Sequence, residues 1–300
     1  MEIFTNEEWG WLPAAIVYLS NALLIFLIGR WTFQRAYAKI DPAAELVEQD
    51  NFAYAIVNVG YYVGLIIAIA GVLMGESQGI AADLTAQTVY GILAVVLLFL
   101  SAKINDKLIL NRFSVHKELF QDRNAGTGVI EAANFIAAGL IIRGAVSGNI
   151  GNFFPEFAYG QLLTGMLSVI IFWLVGQVLL IITSKIYARL LNYDIHQEIE
   201  ADNAAAGIAF AGVLVALAVI IGYGVSGDFY SWSDHFMKIS VEVLVGIIFL
   251  PILRWLTDWI LLPGQKITDE IAHQEHPNIG VGLIEAFAYI GGAFLLTICL

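Results

Sequence analysis

Residues 124–143 read NAGTGVIEAANFIAAGLIIR, and residues 278–297 read NIGVGLIEAFAYIGGAFLLT. Both segments follow the pattern N-x-G-x-G-x-I-E-A-x-x-x-I, in which an asparagine opens an apolar run. Each run is long enough to form a helix across the hydrocarbon core of a bilayer, which takes about 20 residues. The match between two segments half a chain apart indicates that a large unit of this protein was duplicated.

Two further apolar runs also begin with an asparagine, Asn51 and Asn203. These runs share the pattern D-N-x-A-x-x-I-x-x-x-G-x-x-x-x-L, which differs from the pattern at Asn124 and Asn278. The repeats therefore alternate between two types, and one copy of each type makes up half of the chain. We expect two four-helix membrane modules, over residues 1–153 and 154–300.

The composition is that of a membrane protein. Hydrophobic residues make up 59% of the chain and charged residues 13%, against roughly half and a quarter in globular domains. Each repeat has two apolar stretches of spanning length, so the expected fold is an all-α integral membrane protein with eight transmembrane helices. The first helices of the repeats are expected near residues 12–36, 87–110, 159–190 and 237–262, and the second helices near 51–74, 124–146, 203–225 and 278–299.

The two helix types differ in side-chain size. First helices carry bulky runs such as LLIFLIG and VVLLFL, whereas second helices are rich in Gly and Ala. Because helices in lipid associate through close packing of small residues, we expect the second helices to form the inner bundle. Small residues at i and i+4 that suit such packing are Gly60 with Gly64, Gly71 with Gly75, and Gly144 with Gly148.

Lys and Arg are concentrated near one end of the helices. Only Arg143 and Lys238 lie outside the later half of a first helix or the linker that follows it. By the positive-inside rule these linkers are cytoplasmic, which places both termini outside and the four asparagines at the inner surface. The segregated residues are Arg30, Arg35, Lys39, Lys103, Lys107, Arg112, Lys117, Arg123, Lys185, Arg189, Arg254 and Lys266.

Each of the four asparagines is placed to cap the helix that follows it. An asparagine side chain accepts a hydrogen bond from a backbone N–H of the first turn, which has no partner inside the helix. Asp residues beside a cap also suit the positive end of the helix dipole. A second interpretation sets the same caps around the mouth of a transport pathway. Under either interpretation the residues are Asn51, Asn124, Asn203, Asn278, Asp50 and Asp202.

Glu131 and Glu285 are the strongest candidates for an intramembrane site. Each lies seven positions after its cap asparagine, about 10 Å into the helix. Ionisable groups at this depth are costly and normally face the bundle interior, a water-filled cavity or a partner. Asn58 holds the corresponding position in the first repeat, and Asn134 lies one turn from Glu131. We expect these four side chains on the bundle axis; the alternative is that the glutamates only hydrogen-bond neighbouring helices.

Signals for other chemistry are weaker. Arg254 and Asp258 are four residues apart and are expected to pair on one helix. His273 and His276 have a spacing that a metal could use, but a solvated linker is the favoured interpretation, and no metal or cofactor is expected. The sequence has no Ser-His-Asp set and no phosphate-binding loop, which argues against an enzyme. Its net charge of -12 argues against a nucleic-acid partner.

The patterns N-x-A-x-x-I and N-x-G-x-G, each after a preceding span, resemble those of the YjfL-like inner-membrane family, catalogued as domain of unknown function 350. A member of that family is similar to one four-helix half of this chain, so the resemblance covers nearly all of it, twice. The resemblance implies a bacterial inner-membrane protein that accompanies stress-response or membrane-maintenance proteins, and it brings no established activity. Arg123 and Pro277 depart from the pattern, because they replace the Asp before the asparagine.

Two functional hypotheses result from this sequence. The first is a small transporter or channel for protons or cations, with the intramembrane glutamates on its axis. The second is a non-catalytic membrane scaffold that recruits cytoplasmic proteins through the charged linkers. The expected partners are the lipid bilayer, a proton or small cation, soluble proteins at the linkers, and further copies of the chain in a homo-oligomer.

Overall fold

The computed structural model describes residues 12–37, 40–75, 77–148 and 161–300. Over these residues it contains eight helices that are long and apolar enough to cross a membrane, so the predicted fold class is confirmed. The expected module boundary at residues 153 and 154, and Lys39, lie outside the described residues. The helices are α1 (Leu12–Ala36), α2 (Phe52–Leu73), α3 (Ile80–Leu108), α4 (Ala125–Val146), α5 (Gln161–Leu190), α6 (Ala204–Gly224), α7 (Trp232–Ile260) and α8 (Ile279–Cys299).

Two helices, α3 and α7, begin well before their predicted positions because their first turns are polar. Asp83 in the first turn of α3 accepts hydrogen bonds from the hydroxyls of Tyr18 and Ser77, at 2.7 and 2.6 Å. Ser231 caps α7 by accepting a hydrogen bond from the backbone N–H of Asp234 at 3.1 Å. Hydropathy alone does not detect helical turns whose polar groups are satisfied in this way.

The four second helices pack side by side in a row: α2 against α4, α4 against α6, and α6 against α8. The middle helices α4 and α6 are the most buried, whereas α2 and α8 form the two ends of the row. The prediction that the small-residue-rich helices form the inner bundle is therefore confirmed. Their arrangement is a row and not a ring around an axis, because α6 separates α4 from α8.

The first helices form a second layer over this row. α3 packs against α2 and α4, α5 against α4 and α6, and α7 against α6 and α8, while α1 contacts α2 and α3. From α3 onward, each first helix lies over the groove between two second helices. A polar side chain on a first helix can therefore reach into the contact between two repeats.

Close packing within the row depends on residues that lack a side chain. A Cβ atom at Gly60 would overlap Ala132, and one at Gly139 would overlap the carbonyl of Gly64. The backbones of α2 and α4 approach this closely only because these positions are glycine. Gly75 does not follow the expected pattern, since among the described residues only α2 itself lies within 4 Å of a Cβ atom built there.

Short helical turns lie in each connection from a first helix to its second helix, at the end of the bundle that we call the linker end. The opposite end carries the connections between repeats and is called the loop end. Basic residues favour the linker end, as the sequence indicates. The turns are Ala44–Glu48, Val115–Lys117 with Glu118–Asp122, Ile195–Glu200 and Ile267–Ala272.

Candidate functional site

Every second helix begins at the asparagine that the sequence pattern singled out. The side-chain oxygen of each asparagine accepts a hydrogen bond from the backbone N–H three residues later, at 2.9–3.2 Å. Each bond satisfies a donor that has no partner inside the helix. The caps of α2, α4, α6 and α8 are Asn51, Asn124, Asn203 and Asn278.

The amide nitrogen of each cap makes further contacts that sequence reasoning missed. It donates to a glutamate in the preceding linker at 2.8–3.1 Å. In the first three repeats it also donates to a backbone carbonyl in the linker of the next repeat, at 2.6–2.9 Å. Each of these caps therefore joins two consecutive repeats. The glutamates are Glu45, Glu118, Glu198 and Glu270, and the carbonyls belong to Leu119, Ile199 and Ile271.

A sequence signal for these glutamates exists, because one stands between five and eight residues before every cap asparagine. Glu118, the glutamate of the second repeat, has a pKa that its surroundings change. Burial raises the pKa of Glu118 above its ordinary value, and the hydrogen bond from Asn124 acts in the opposite direction. Each of the four glutamates thus holds the amide of the cap in its own repeat.

Asp50 and Asp202 take up a left-handed backbone conformation just before their caps, with φ of 48° and 61°. Arg123 occupies the same position in the second repeat, with φ of 54°. Asp adopts this conformation more readily than most residues, because its short polar side chain can hydrogen-bond locally. Pro277 cannot adopt it, since its ring fixes φ near about -65°. The chain therefore enters α8 differently from the other three second helices.

Glu131 lies in the middle of the row and faces α3. Its carboxyl group lies close to that of Asp106, near the linker end of α3, and the two groups interact electrostatically. It also accepts a hydrogen bond from Nδ2 of Asn134 at 3.0 Å. Glu131 and Asn134 are buried, whereas Asp106 is partly exposed. We call Asp106, Glu131 and Asn134 the carboxyl-pair cluster.

A hydrogen bond between two carboxyl groups requires a proton, because ionised carboxylates only accept. Because two neighbouring carboxyl groups away from bulk water do not both ionise readily, this arrangement favours one proton shared between Asp106 and Glu131. Tyr37, which follows α1, lies close to the pair at the linker end. Burial and, after it, the charges of Glu131 and Asp106 raise the pKa of the Tyr37 phenol. The pair thus has an aromatic residue at its edge on the side of the linker end.

Several polar atoms around this cluster have no hydrogen-bond partner among the described residues. They are Oδ1 of Asn134, Oγ1 of Thr127 and Oδ1 of Asp106. Thr127, Glu131 and Asn134 share one face of α4, since they are spaced by four and three residues. A buried polar group left unsatisfied costs about 1–3 kcal/mol. The cluster therefore offers hydrogen-bonding positions suited to water or a small cation.

Glu285 holds the corresponding position in α8 but has a different partner. Its carboxylate forms an ion pair with Arg254 of α7 at 3.0 Å, in which the two side chains are 1% and 16% exposed. It also accepts hydrogen bonds from the hydroxyls of Tyr187 and Tyr289, at 3.3 and 3.1 Å. We call Arg254, Glu285, Tyr187 and Tyr289 the ion-pair cluster. Here a fixed cation balances the carboxylate, so this arrangement requires no shared proton.

The structure separates the residues that were expected to form one axial site. Because α6 lies between α4 and α8, Glu131 and Glu285 belong to different clusters. Asn134 lies beside Glu131, as its spacing indicates. Asn58 is partly exposed on a face of α2 that also carries Tyr62, and the ring of Tyr62 packs against α1. Asn58 is therefore directed toward the end of the row and away from the contact with α4.

The expected pairing of Arg254 with Asp258 is wrong. Arg254 binds Glu285, while Asp258 accepts a hydrogen bond from the backbone N–H of Ile267 at 2.8 Å. The physical reason is burial: a carboxylate enclosed in apolar surroundings needs a cation far more than one at the helix end, where backbone donors are available. Spacing along one helix did not reveal this contact between two helices.

A cavity of about 510 Å³ lies between α5 and α7, away from both glutamates. Apolar side chains line most of it, including Leu174, Val178 and Leu244. The transport hypothesis predicts a hydrated cavity around the glutamates. The cavity between α5 and α7 is not at that position. Its apolar lining suits lipid chains or a neighbouring apolar helix.

Comparison with known proteins places the chain among membrane proteins without an assigned activity. The model of a family described as Domain of Unknown Function (DUF350) matches residues 8–146 and again residues 161–300. A relative from Aquifex aeolicus (strain VF5), described as a UPF0719 transmembrane protein, is 21% identical over 278 residues, which cover 91% of this chain and 96% of the relative. No solved structure matches. The family resemblance is confirmed under this description, and the match does not carry the YjfL name.

Proposed function

Both halves of the chain belong to the family described as Domain of Unknown Function (DUF350), and from that premise we propose that this multi-pass membrane protein transports protons or small cations. Family membership supplies no activity, so the proposal rests on the site. The observation that carries it is the close approach of the carboxyl groups of Asp106 and Glu131 inside the membrane-spanning region. Such a pair binds a proton that can be passed on or replaced by a cation.

The position of the pair supports entry from the linker end. Asp106 is partly exposed and lies two residues before the end of α3 at Leu108. Further toward the loop end, the buried face of α4 continues through Ala138 and Ile141, which are apolar. A proton that reaches the pair from the linker end therefore needs a rearrangement of the helices to leave at the loop end. This favours alternating access over an open channel.

The direction of transport depends on the orientation of the chain. We propose that it lies in the bacterial inner membrane with its linkers in the cytoplasm and both termini outside. The concentration of Lys and Arg at the linker end supports this orientation through the positive-inside rule. The carboxyl-pair cluster would then exchange protons with the cytoplasm. This orientation is tested by placing cysteines in the linkers and loops and labelling them in whole cells with a membrane-impermeant maleimide.

The test of the transport proposal is proton and cation flux into liposomes that contain the purified chain. We expect flux in the natural protein and its loss in Glu131→Gln and in Asp106→Asn, because an amide cannot pass a proton between the two groups. The matched control is Glu285→Gln, which changes the same residue type at the corresponding position of the other half. If only the carboxyl-pair cluster transports, flux survives in Glu285→Gln.

Three outcomes contradict the proposal. Flux that is unchanged in Glu131→Gln removes the carboxyl pair from the pathway. Flux lost equally in the Glu285→Gln control, with the protein folded, makes the two clusters parts of one pathway. Absence of proton, Na⁺ and K⁺ flux from liposomes with the natural protein, in either direction of the imposed gradient, removes transport altogether.

A second proposal, the membrane scaffold, is supported by one observation at the first linker. Leu46 and Val47 are 38% and 81% exposed there, next to the exposed carboxylate of Glu48. An apolar pair beside a charge suits contact with a soluble protein. Capture of a soluble protein by the natural chain and its loss in Val47→Ser with Glu48→Lys would support this role. Equal capture by both chains would exclude this surface.

We propose no enzymatic reaction for either cluster. Within the described parts of the chain, no group of three or more His, Cys, Asp or Glu residues is arranged to hold a metal ion. A carboxyl pair without a nucleophile or an electrophilic group at hand defines no reaction class. Proton exchange is the chemistry that its two groups can carry out alone.

A further inference from the structure

The two halves of the molecule meet where α4 packs against α6 and, in the outer layer, where α3 and α4 pack against α5. The indole N–H of Trp173 on α5 donates a hydrogen bond to the hydroxyl of Ser101 on α3 at 2.9 Å. Both helices lead from the loop end to the linker end, so they run in the same direction. One turn further on, α5 carries Gln177 and α3 carries Asn105. The helical repeat therefore places these two amides on the facing sides of the contact.

The amides of Asn105 and Gln177 are buried deep in the molecule, at 0% and 1% exposure. Among the described residues, all four of their side-chain oxygen and nitrogen atoms have no hydrogen-bond partner. Each amide has two donor hydrogens and an acceptor oxygen. Buried polar groups of native proteins are almost always bonded to protein or to ordered water. Two buried amides on facing sides of one helix contact, without partners among the described residues, therefore point to a bound ligand between them.

The chemistry of the two amides selects the ligand. A metal cation would bind the carbonyl oxygens but leave the NH₂ groups of Asn105 and Gln177 without an acceptor. An anion would accept hydrogen bonds from the NH₂ groups but leave the carbonyl oxygens without a donor. Water both donates and accepts, and a buried water typically makes about three hydrogen bonds to groups of this kind. We propose that ordered water binds between Asn105 and Gln177 and bridges the two halves of the protein within the membrane.

The bridge has a structural consequence that is independent of transport. It joins α3 of the first half to α5 of the second half through hydrogen bonds, at a contact otherwise held by Trp173 and Ser101. Asp106 follows Asn105 but points about 100° away around α3, toward α4. The water site and the carboxyl-pair cluster therefore lie on different sides of one helix, and either can exist without the other.

X-ray radiolytic labelling in H₂¹⁸O, followed by mass spectrometry, tests this site. The radiation converts bound water to hydroxyl radicals that modify the nearest reactive side chain, and Trp173 lies one turn from the amides. At 5% exposure, Trp173 is shielded from radicals formed in bulk solvent. We expect ¹⁸O in Trp173 of the natural protein and a several-fold loss of that label in the double variant Asn105→Leu, Gln177→Leu.

The natural protein alone can overturn the proposal, since absence of ¹⁸O in its Trp173 excludes bound water there. Equal labelling in the natural protein and the double variant also overturns it, because the water would then not depend on the amides. Labelling of the exposed Trp255 serves as the control for equal dose. If the double variant does not fold, Asn105→Thr replaces it, which installs the residue found at position 257 of the corresponding helix α7. That variant is expected to lose part of the label, and full retention contradicts the bridge.

Discussion

The carboxyl-pair cluster and the ion-pair cluster start from the same residue in the same repeat position and differ in what the neighbouring first helix supplies. Glu131 faces a carboxyl group, that of Asp106, whereas Glu285 faces the guanidinium of Arg254. One arrangement favours a shared proton, and the other contains a fixed charge. The comparison shows the same glutamate in both halves beside partners of different charge, a carboxyl group in the first half and a guanidinium in the second.

Alignment of the two first helices identifies the substitution behind this difference. Superposing α3 on α7 by their shared aspartates, Asp106 and Asp258, sets Ala102 opposite Arg254. Ala102 is buried one turn before Asp106. In the second half, the arginine at this position forms the ion pair with Glu285. Asp258 instead accepts a hydrogen bond from the backbone of the linker. In the first half this position has no arginine, and Asp106 is the neighbour of Glu131.

The largest expected effect follows from copying that arginine into the first half. Ala102→Arg puts a guanidinium beside Glu131 and Asp106. The guanidinium pairs with both carboxylates, which then no longer need a shared proton. Under the proposed function, proton flux into liposomes falls to the level of protein-free liposomes. Ala102→Leu adds bulk without charge and is expected to keep flux. Full flux in Ala102→Arg, with folding intact, would show that the partner does not determine the difference between the clusters.

A large loss of stability is expected when the fixed charge is removed from the second cluster. Arg254→Leu leaves Glu285 buried without its cation, at a cost of about 3–5 kcal/mol. The double variant Arg254→Leu, Glu285→Leu removes both charges and is expected to recover most of that loss. In the first half, Asp106→Leu is expected to cost under about 1 kcal/mol, because Glu131 can remain protonated. Unfolding in mixed detergent and denaturant measures all three.

Equal losses in Arg254→Leu and Asp106→Leu would contradict the distinction between a charged and a proton-sharing cluster. Failure of the double variant to recover stability would mean that Arg254 acts through packing of its stem and not through charge. The comparison of Arg254→Leu with Asp106→Leu tests the difference between the halves, whereas the double variant tests only the ion pair.

The halves also differ in how closely their second helices cross. Gly139 of α4 meets the carbonyl of Gly64, whereas the corresponding residue of α8 is Ala293. Gly139→Ala is expected to destabilise the protein by about 1–3 kcal/mol through overpacking. The reverse change, Ala293→Gly, is expected to cost about 0.5–1 kcal/mol through helix propensity. The same unfolding assay ranks the two, and a neutral Gly139→Ala would contradict a tighter crossing in the first half.

Much of the fold could be predicted from the sequence because membrane spans and their caps are local features. Apolar runs set the helices, and the asparagines occupy the N-cap position of all four second helices. Small residues indicated which helices pack together. Whether those helices close into a ring or extend in a row depends on angles between neighbours, which residue spacing does not encode. The expected axis was therefore wrong although the expected helices were right.

The candidate site was less predictable because its decisive partners come from other helices. Depth in the membrane identified Glu131 and Glu285, and spacing identified Asn134 as a neighbour. Asp106 and Arg254 stand near the linker ends of first helices, where charged residues are common in any membrane protein. Their importance depends on which face of α3 or α7 meets the row. A comparison of the two halves by sequence could have flagged them, since only one half has the arginine.

The smallest expected effect concerns a second ion pair, which joins the linkers of the two halves in solvent. Arg112 binds Asp194, and their side chains are 58% and 42% exposed. Asp194 also caps the turn Ile195–Glu200 by accepting hydrogen bonds from the backbone N–H groups of His196 and Gln197. Although partial burial acts in the opposite direction, the hydrogen bond from Arg112 and those from the backbone lower the pKa of Asp194.

Asp194→Asn keeps an oxygen for the cap and removes the charge, so it measures the ion pair together with the charge-assisted part of the cap. An exposed pair contributes about 0.2–1 kcal/mol, far less than expected for the buried Arg254. Because the folded pKa of Asp194 is lowered, its contribution is present above the unfolded value of about 3.9 and is lost as the pH falls through the folded value. Unfolding at pH 7 should therefore separate the variant from the natural protein, and high salt should reduce the gap. A loss at pH 7 as large as that of Arg254→Leu would mean that burial does not explain the difference between the two ion pairs.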